Sequence, residues 1–128
     1  MRLKPAATKW CHVTWSTARH RKCFNIAAQA RFCEQEIERE CARHGWTGHV
    51  ALLPDRIHVL VEVPAVAPRA SVVARLRDVA TQVVRQAGMS SRAGQVWEDG
   101  GWCSVLTSGT AVEAVRRHVR ERAAGARA

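Results

Sequence analysis

The chain contains no tyrosine, and its aromatic side chains are limited to five tryptophans and two phenylalanines in 128 residues. The absence of every phenol excludes chemistry that needs a tyrosine nucleophile from this chain. Acidic side chains are scarce too, with 11 Asp and Glu against 20 Lys and Arg, which gives a formal charge of +9. Such a balance favours nucleic acid as a partner, because each neutralised phosphate releases condensed counterions. The alternative is an arginine-rich proteome in which ordinary proteins are basic.

Two further absences concern the compartment. No apolar run approaches the length of a transmembrane helix, and no signal-peptide core follows the basic N-terminus. The five cysteines, at positions 11, 23, 33, 41 and 103, are odd in number and form no Cys-x-x-Cys pair. This usage is typical of small buried thiols in a reducing compartment. We therefore expect a cytoplasmic protein with no membrane partner and no disulfide framework.

The length and the apolar pattern predict one domain, residues 1–128, with a core of about 10–122 and a flexible tail at 123–128. Alternation and helical spacing predict strand 10–17, helix 26–44, strands 46–53 and 57–63, a helix from Pro68 to a stop at Gly88, a loop at 89–101 and strand 102–107. A capping box, Thr110-x-x-Glu113, predicts the start of the last helix. The order βαββαβα allows a four-stranded antiparallel sheet with two helices on one face and a third helix on the other.

Five stretches carry a resemblance to a known family, in its order and at its spacing. The most specific is residues 53–64, LPDRIHVLVEVP, and the others are residues 12–17 with the basic run 19–22, residues 44–46, 96–102 and 115–122. Together they are similar to motifs of the small insertion-sequence and REP-associated transposases of the single-tyrosine HUH class. That family usually has Met-Pro-Asp-His-Val-His-Leu-Leu-Val in the first stretch. The resemblance implies an α+β, ferredoxin-like (RRM-like) fold with the family's C-terminal helix.

The catalytic positions of the family have changed in this chain. The resemblance implies two histidines that bind Mg²⁺ or Mn²⁺, an assisting glutamine, and a tyrosine that attacks a DNA phosphodiester. By position, the first histidine is Arg56, the second is His58, the tyrosine is His118 and the glutamine is Arg122. Guanidinium groups cannot replace metal ligands and also repel a cation. We therefore expect no metal and no other cofactor, and no activity as a tyrosine transposase.

Strand alternation places Arg56 and His58 on one face of their strand, and Ile57 and Val59 on the other. His118 and Arg122 lie one turn apart on the last helix, so the family arrangement predicts that all four polar side chains share one cleft. Two guanidinium groups would bind phosphate oxygens without a metal. An alternative is that His58 is a relic with local hydrogen bonds. A further alternative keeps catalysis, with two histidines acting on RNA as general acid and base, or His118 attacking phosphorus.

Other basic side chains are candidate phosphate contacts, or simply solvated surface. They are Arg19, Arg21 and Lys22 after the first strand, and Arg75 and Arg77 on the second helix. Among the tryptophans, Trp10, Trp15 and Trp46 are candidates to stack on bases, although core packing is the commoner role, and Trp97 and Trp102 are candidates for the core. His12 alone on its strand is interpreted as a structural residue.

These features predict a transposase-like protein that binds a structured single-stranded DNA or RNA hairpin as a homodimer and has lost its original chemistry, a pseudoenzyme with a degenerate HUH motif. One alternative is a repurposed enzyme that uses Arg56, His58 and His118 on a small molecule or an aminoacylated RNA. Another is a partner that heterodimerises with an active relative.

Overall fold

The computed structural model describes residues 7–88 and 95–127, and side chains as far as residue 122. Strands and helices follow in the order β1 (Thr8–Ser16), α1 (Ala27–Arg43), β2 (Thr47–Leu53), β3 (Arg56–Pro64), α2 (Arg69–Gln86), β4 (Trp102–Leu106) and α3 (Gly109–Arg127), with a short 3-10 turn at Ala18–His20. The order βαββαβα agrees with the sequence prediction. Part of the predicted loop, residues 89–94, lies outside the described residues.

One antiparallel sheet contains all four strands in the order β2-β3-β1-β4. The two central strands, β3 and β1, are therefore not consecutive in the chain, which is the connectivity of a ferredoxin-like fold. Their register pairs Thr14 with His58 and Trp15 with Ile57. The predicted fold class is confirmed.

The main core lies between one face of the sheet and the helices α1 and α2. Alternate residues of β1 and β3 point into it, and the helices contribute side chains at helical spacing. Its fully buried members include Cys11, Val13, Ile57, Val59 and Val61 from the strands, and Cys33, Ile37, Val72 and Leu76 from the helices. Burial of one valine or isoleucine stabilises the fold by about 1.5–3 kcal/mol.

The opposite face of the sheet is covered by α3, which packs on β2 and β3. Val112 and Val119 are the buried apolar residues of this helix, and Leu60 of β3 is buried on the sheet. His58 belongs to the same face because it is two residues from Leu60 along the strand. The helix that carries His118 and Arg122 therefore lies over the strand that carries Arg56 and His58.

The boundaries of two helices test the predicted signals. Gly88 follows α2 with a φ of +65°, a left-handed conformation typical of a helix stop. The predicted start of α3 at Thr110 is wrong, because α3 begins at Gly109 and the hydroxyl of Ser108 accepts a hydrogen bond from the backbone N–H of Ala111. The helix continues to Arg127, through most of the segment predicted to be a tail.

Candidate nucleic-acid interface

Three histidines from three different elements meet on the face of the sheet under α3. The Nε2 atom of His12 and the Nδ1 atom of His58 lie 3.1 Å apart, so one ring donates a hydrogen bond to the other. The ring of His118 lies edge-on to that of His58, with centroids 6.2 Å apart and planes at 88°. We call these three side chains the histidine cluster.

Strand register explains why His12 and His58 touch. His58 is paired with Thr14 across β1 and β3, and His12 is paired with Leu60, so the two histidines are diagonal neighbours on one face. Diagonal neighbours of this kind are within reach of ring side chains. His118 then reaches the pair from α3, which lies above β3.

Burial and positive neighbours lower the pKa of two histidines of this cluster, His12 and His58. His58 is 8% exposed, and burial, followed by the charges of His12, Arg56, His118 and Arg122, lowers its pKa to about 4. Burial and then His118 also lower the pKa of His12. Both effects disfavour a charged imidazole. His12 and His58 are therefore neutral at neutral pH. The guanidinium groups of Arg56 and Arg122, which act on His58, are called the arginine rim.

Thr14 supplies an unused hydroxyl at the same place. Its side chain is 7% exposed, and its Oγ1 atom is buried with no hydrogen-bond partner. Thr14 pairs in register with His58 on one side and with Trp102 on the other. A buried hydroxyl without a partner costs free energy, so it often marks a site where a ligand completes the bonding.

Trp102 borders the cluster at the start of the edge strand β4. Its ring packs edge-on against His12, with centroids 5.0 Å apart, and 53% of the residue is exposed. The interpretation of Trp102 as a core residue is thus wrong, whereas Trp97 is buried and donates from Nε1 to the Thr81 hydroxyl over 2.7 Å. The exposed indole of Trp102 is suited to stacking on a base.

The basic loop after β1 lies at the same end of the sheet as Arg56, because Ser16 pairs with Arg56. Arg19 adopts a φ of +56°, and its backbone N–H donates to the carboxylate of Glu98. The hydroxyl of Thr17 donates to the carbonyl of Arg21 over 2.7 Å. These contacts hold the loop in a conformation that non-glycine residues seldom adopt. Arg19, Arg21 and Lys22 therefore follow β1 at the end of the sheet where Arg56 lies.

Two of the predicted phosphate contacts are not brought to this site. Arg75 lies on α2, on the opposite side of the sheet, with its guanidinium 3.8 Å from the carboxylate of Glu40. Arg77 donates to the carbonyls of Gly100, over 2.9 Å, and Glu98, over 3.4 Å, and so fixes the turn before β4. Helical spacing alone had not shown that protein groups engage both arginines.

The tryptophans proposed to stack on bases have other contacts in the structure. Trp15 is 2% exposed and belongs to the main core, so its prediction as a stacking residue is wrong. Trp10 stacks on His49, and the guanidinium of Arg116 lies 5.6 Å from its ring centroid. Trp46 packs against the main core. Trp102 is the most exposed of the five.

The residues at the family's metal positions do not fit a divalent cation. Arg56 and Arg122 carry positive charge close enough to lower the pKa of His58, and His58 already uses one ring nitrogen on His12. Within residues 7–88 and 95–127, no group of three or more His, Cys, Asp or Glu side chains is arranged to hold a metal ion. Mg²⁺ and Mn²⁺ prefer oxygen donors, whereas Arg56, His58 and Arg122 offer two guanidinium groups and an imidazole.

The sequence interpretation missed His12 and Thr14 as members of the site. Both occupy even positions of β1, so alternation was enough to place them on one face. What alternation could not show was the register of β1 against β3, which decides that this face carries His58. His12 is a structural residue in the sense predicted, since it is buried and hydrogen-bonded, but its partner is the candidate site residue itself.

Comparisons with solved structures show the class of fold. The crystal structure of a "putative transposase" from Deinococcus radiodurans R1 matches with a TM-score of 0.72 and 12% identity, over 95% of this chain and 98% of that one. A REP-associated tyrosine transposase bound to a REP hairpin matches with a TM-score of 0.59 and 16% identity. The second match covers 93% of this chain and 66% of the other. The transposase-like fold implied by the sequence motifs is confirmed.

Comparison of the sequence with protein-family models and with curated proteins finds no match. Among the helices in the described part of the chain, none has both the length and the apolar character needed to span a membrane.

Proposed function

We propose that this protein binds hairpin DNA or RNA through the histidine cluster and its arginine rim, and that it does not break DNA as a tyrosine transposase does. The observation that carries the proposal is the meeting of His58, His118, Arg56 and Arg122 on one face, beside a basic loop. A fold shared with a hairpin-bound protein supports the same class of ligand.

Electrostatics favour a phosphate in this position. Arg56 and Arg122 act on His58 as positive charges, and the buried hydroxyl of Thr14 has no partner. Guanidinium groups bind phosphate oxygens in bidentate pairs, and a hydroxyl can donate to a remaining oxygen. A phosphate would therefore offset the positive charge that Arg56 and Arg122 place beside His58.

The loss of strand cleavage follows from chemistry that the chain lacks. No tyrosine exists to form a phosphotyrosine, and His118 stands where the resemblance places that nucleophile. At the positions that the resemblance assigns to the metal site, Arg56 and Arg122 carry guanidinium groups, which would repel a cation. Binding of a phosphate by guanidinium groups needs neither a tyrosine nor a metal, so the proposed binding does not depend on the missing phenol.

We further propose that the protein acts as a homodimer, as the family resemblance implies. Analytical ultracentrifugation of the purified chain tests this directly. A monomer at micromolar concentration would overturn it. Co-purification with an active relative would instead support the heterodimer.

The test of the proposed function uses labelled DNA and RNA hairpins with single-stranded flanks, at low salt, with Mg²⁺ or Mn²⁺. We expect retarded complexes in a native gel but no nicked DNA and no complex that survives denaturant. A denaturant-stable adduct that disappears in His118→Ala would show that His118 is a nucleophile. Failure to bind either hairpin would overturn the proposal and favour a different substrate for the same cleft.

A further inference from the structure

The histidine cluster holds more than phosphate binding requires. Two guanidinium groups are sufficient to bind a phosphate, yet the site also contains three imidazoles, of which His58 contacts both His12 and His118. Imidazole is the side chain best suited to transfer protons near neutral pH. The neutral ring of His58 is a proton acceptor, and the exposed ring of His118 lies beside it, near the positive charges of Arg56 and Arg122.

We propose that this cleft cleaves RNA by metal-independent transfer of a phosphodiester to the neighbouring ribose 2′-hydroxyl. This inference rests on the proposed function, since the RNA phosphate must first bind at Arg56 and Arg122. His58 acts as the general base and His118 as the general acid.

The reaction balances without any further reactant. The ribose 2′-oxygen attacks phosphorus while its proton passes to the neutral ring of His58. The bond from phosphorus to the 5′-oxygen breaks, and that oxygen takes a proton from the imidazolium form of His118. The products are a 2′,3′-cyclic phosphate and a free 5′-hydroxyl. His58 then releases its proton to water and His118 regains one.

The substrate must be RNA because the chain contributes no nucleophile of its own to this step. DNA lacks the 2′-hydroxyl, so proton transfer alone cannot open its backbone at a comparable rate. In this proposal the nucleophile is the substrate's own 2′-hydroxyl, which needs neither a tyrosine of the chain nor a bound metal.

The geometry assigns distinct roles to the histidines. His58 is buried and neutral, and its Nδ1 is held by His12 over 3.1 Å, which fixes the ring and leaves Nε2 for the substrate. His118 is exposed on α3, with its ring centroid 6.2 Å from that of His58, so both rings can reach one phosphate. His12 touches His58 and acts as a positioning residue, as a hydrogen-bonded partner does for other catalytic histidines.

Arg56 and Arg122 stabilise the negative charge of the transition state. The transition state places extra negative charge on the non-bridging oxygens, where preorganised donors are most effective. Arg56 and Arg122 are the cations beside His58. Removal of one such donor commonly costs about 10²-fold in rate.

The experiment incubates the purified chain in EDTA with a 5′-labelled RNA hairpin that has single-stranded flanks, and with the DNA hairpin of the same sequence. We expect RNA fragments ending in a 2′,3′-cyclic phosphate, no DNA cleavage, and loss of the cut when the scissile nucleotide is 2′-deoxy. His118→Gln, on the exposed helix face, should lower the rate about 10²-fold or more while RNA binding persists. His44→Gln, on the opposite side of the sheet, is the matched control.

Cleavage that is equal in His118→Gln and in the unaltered protein would reveal a contaminating nuclease and overturn the inference. RNA that is bound but not cut would overturn it as well and leave the proposed function standing. RNA that is neither bound nor cut would overturn both.

The positioning role of His12 has a separate readout. His12→Gln keeps a hydrogen-bonding group beside His58 but removes one of the causes of its lowered pKa. The acidic limb of the pH–rate profile should then move to higher pH. A lower rate with an unmoved limb would show a purely structural role and remove His12 from the mechanism.

Discussion

The protonation state of His58 is set by its neighbours in the fold. The resemblance in the sequence places His58 at a metal-binding position of the transposase family, and in the fold it is a neutral, buried imidazole hydrogen-bonded to a second histidine. Its surroundings, with burial first and positive charges second, set its protonation state. Because the pKa of His58 differs between the folded and the unfolded chain, this residue makes the free energy of unfolding depend on pH.

The lowered pKa predicts acid sensitivity of a definite sign. The unfolded chain binds a proton on His58 below about pH 6.5, whereas the folded chain resists it down to about pH 4. Stability from this residue is therefore present above pH 6.5 and lost as pH falls toward 4, by roughly 1–3 kcal/mol. Urea unfolding at pH 7 and pH 5 should show a smaller acid loss in His58→Gln than in the exposed-loop control His20→Gln. Equal losses would contradict this account.

At the scale of elements, α3 determines the site because it brings His118 and Arg122 over β3. Its first turn is held by the hydroxyl of Ser108, although the sequence offers Thr110 three residues before Glu113 as an apparent capping box. Glu113 pairs instead with Arg116 over 2.7 Å. Two hydroxyls, those of Ser108 and Thr110, lie near the start of α3, and the Ser108 hydroxyl is the one that caps the helix.

Substitution at these two hydroxyls separates the alternatives. Ser108→Ala removes the acceptor for the Ala111 N–H and should destabilise the protein by about 1 kcal/mol. Thr110→Ala should change stability by less than about 0.5 kcal/mol, because it lies inside the helix. The midpoints of guanidinium unfolding compare the two directly. A larger loss in Thr110→Ala would restore the predicted capping box.

Close packing of α1 on β2 depends on a glycine. A Cβ atom at Gly48 would lie 2.7 Å from the Sγ atom of Cys41, which is fully buried on α1. Gly48→Ala should therefore destabilise the protein by about 1–3 kcal/mol through overpacking. The double variant with Cys41→Ala should recover part of the loss, as measured by thermal unfolding. Additive losses in the double variant would contradict the steric explanation.

At the scale of the whole molecule, the charge of +9 predicts strong salt dependence of hairpin binding. Replacing Arg56 and Arg122 together with alanine should weaken binding and reduce the slope of log K against log salt by about 2. Arg39→Ala with Arg43→Ala removes the same charge from α1, where both arginines are paired with glutamates. This control should change the slope far less. Equal changes, measured by fluorescence anisotropy, would show a diffuse field rather than a site.

The order of the elements and the two faces of β3 could be predicted from the sequence, because side-chain periodicity is a local property of the backbone. Ile57 and Val59 are apolar at every second position, and they are fully buried in the core. The absence of tyrosine was equally complete in the sequence, since no folding can supply a missing phenol. Composition and periodicity thus predicted the order of the elements and excluded a tyrosine nucleophile.

The membership of the site was decided by tertiary structure. The register of β1 against β3 placed His12 on His58, and packing placed α3 above them. Arg75 lies beside the carboxylate of Glu40, and Arg77 is hydrogen-bonded to the turn before β4, so neither lies at the predicted phosphate site. Register and packing depend on contacts between residues far apart in the chain, and the spacing of residues along one segment contains no information about them.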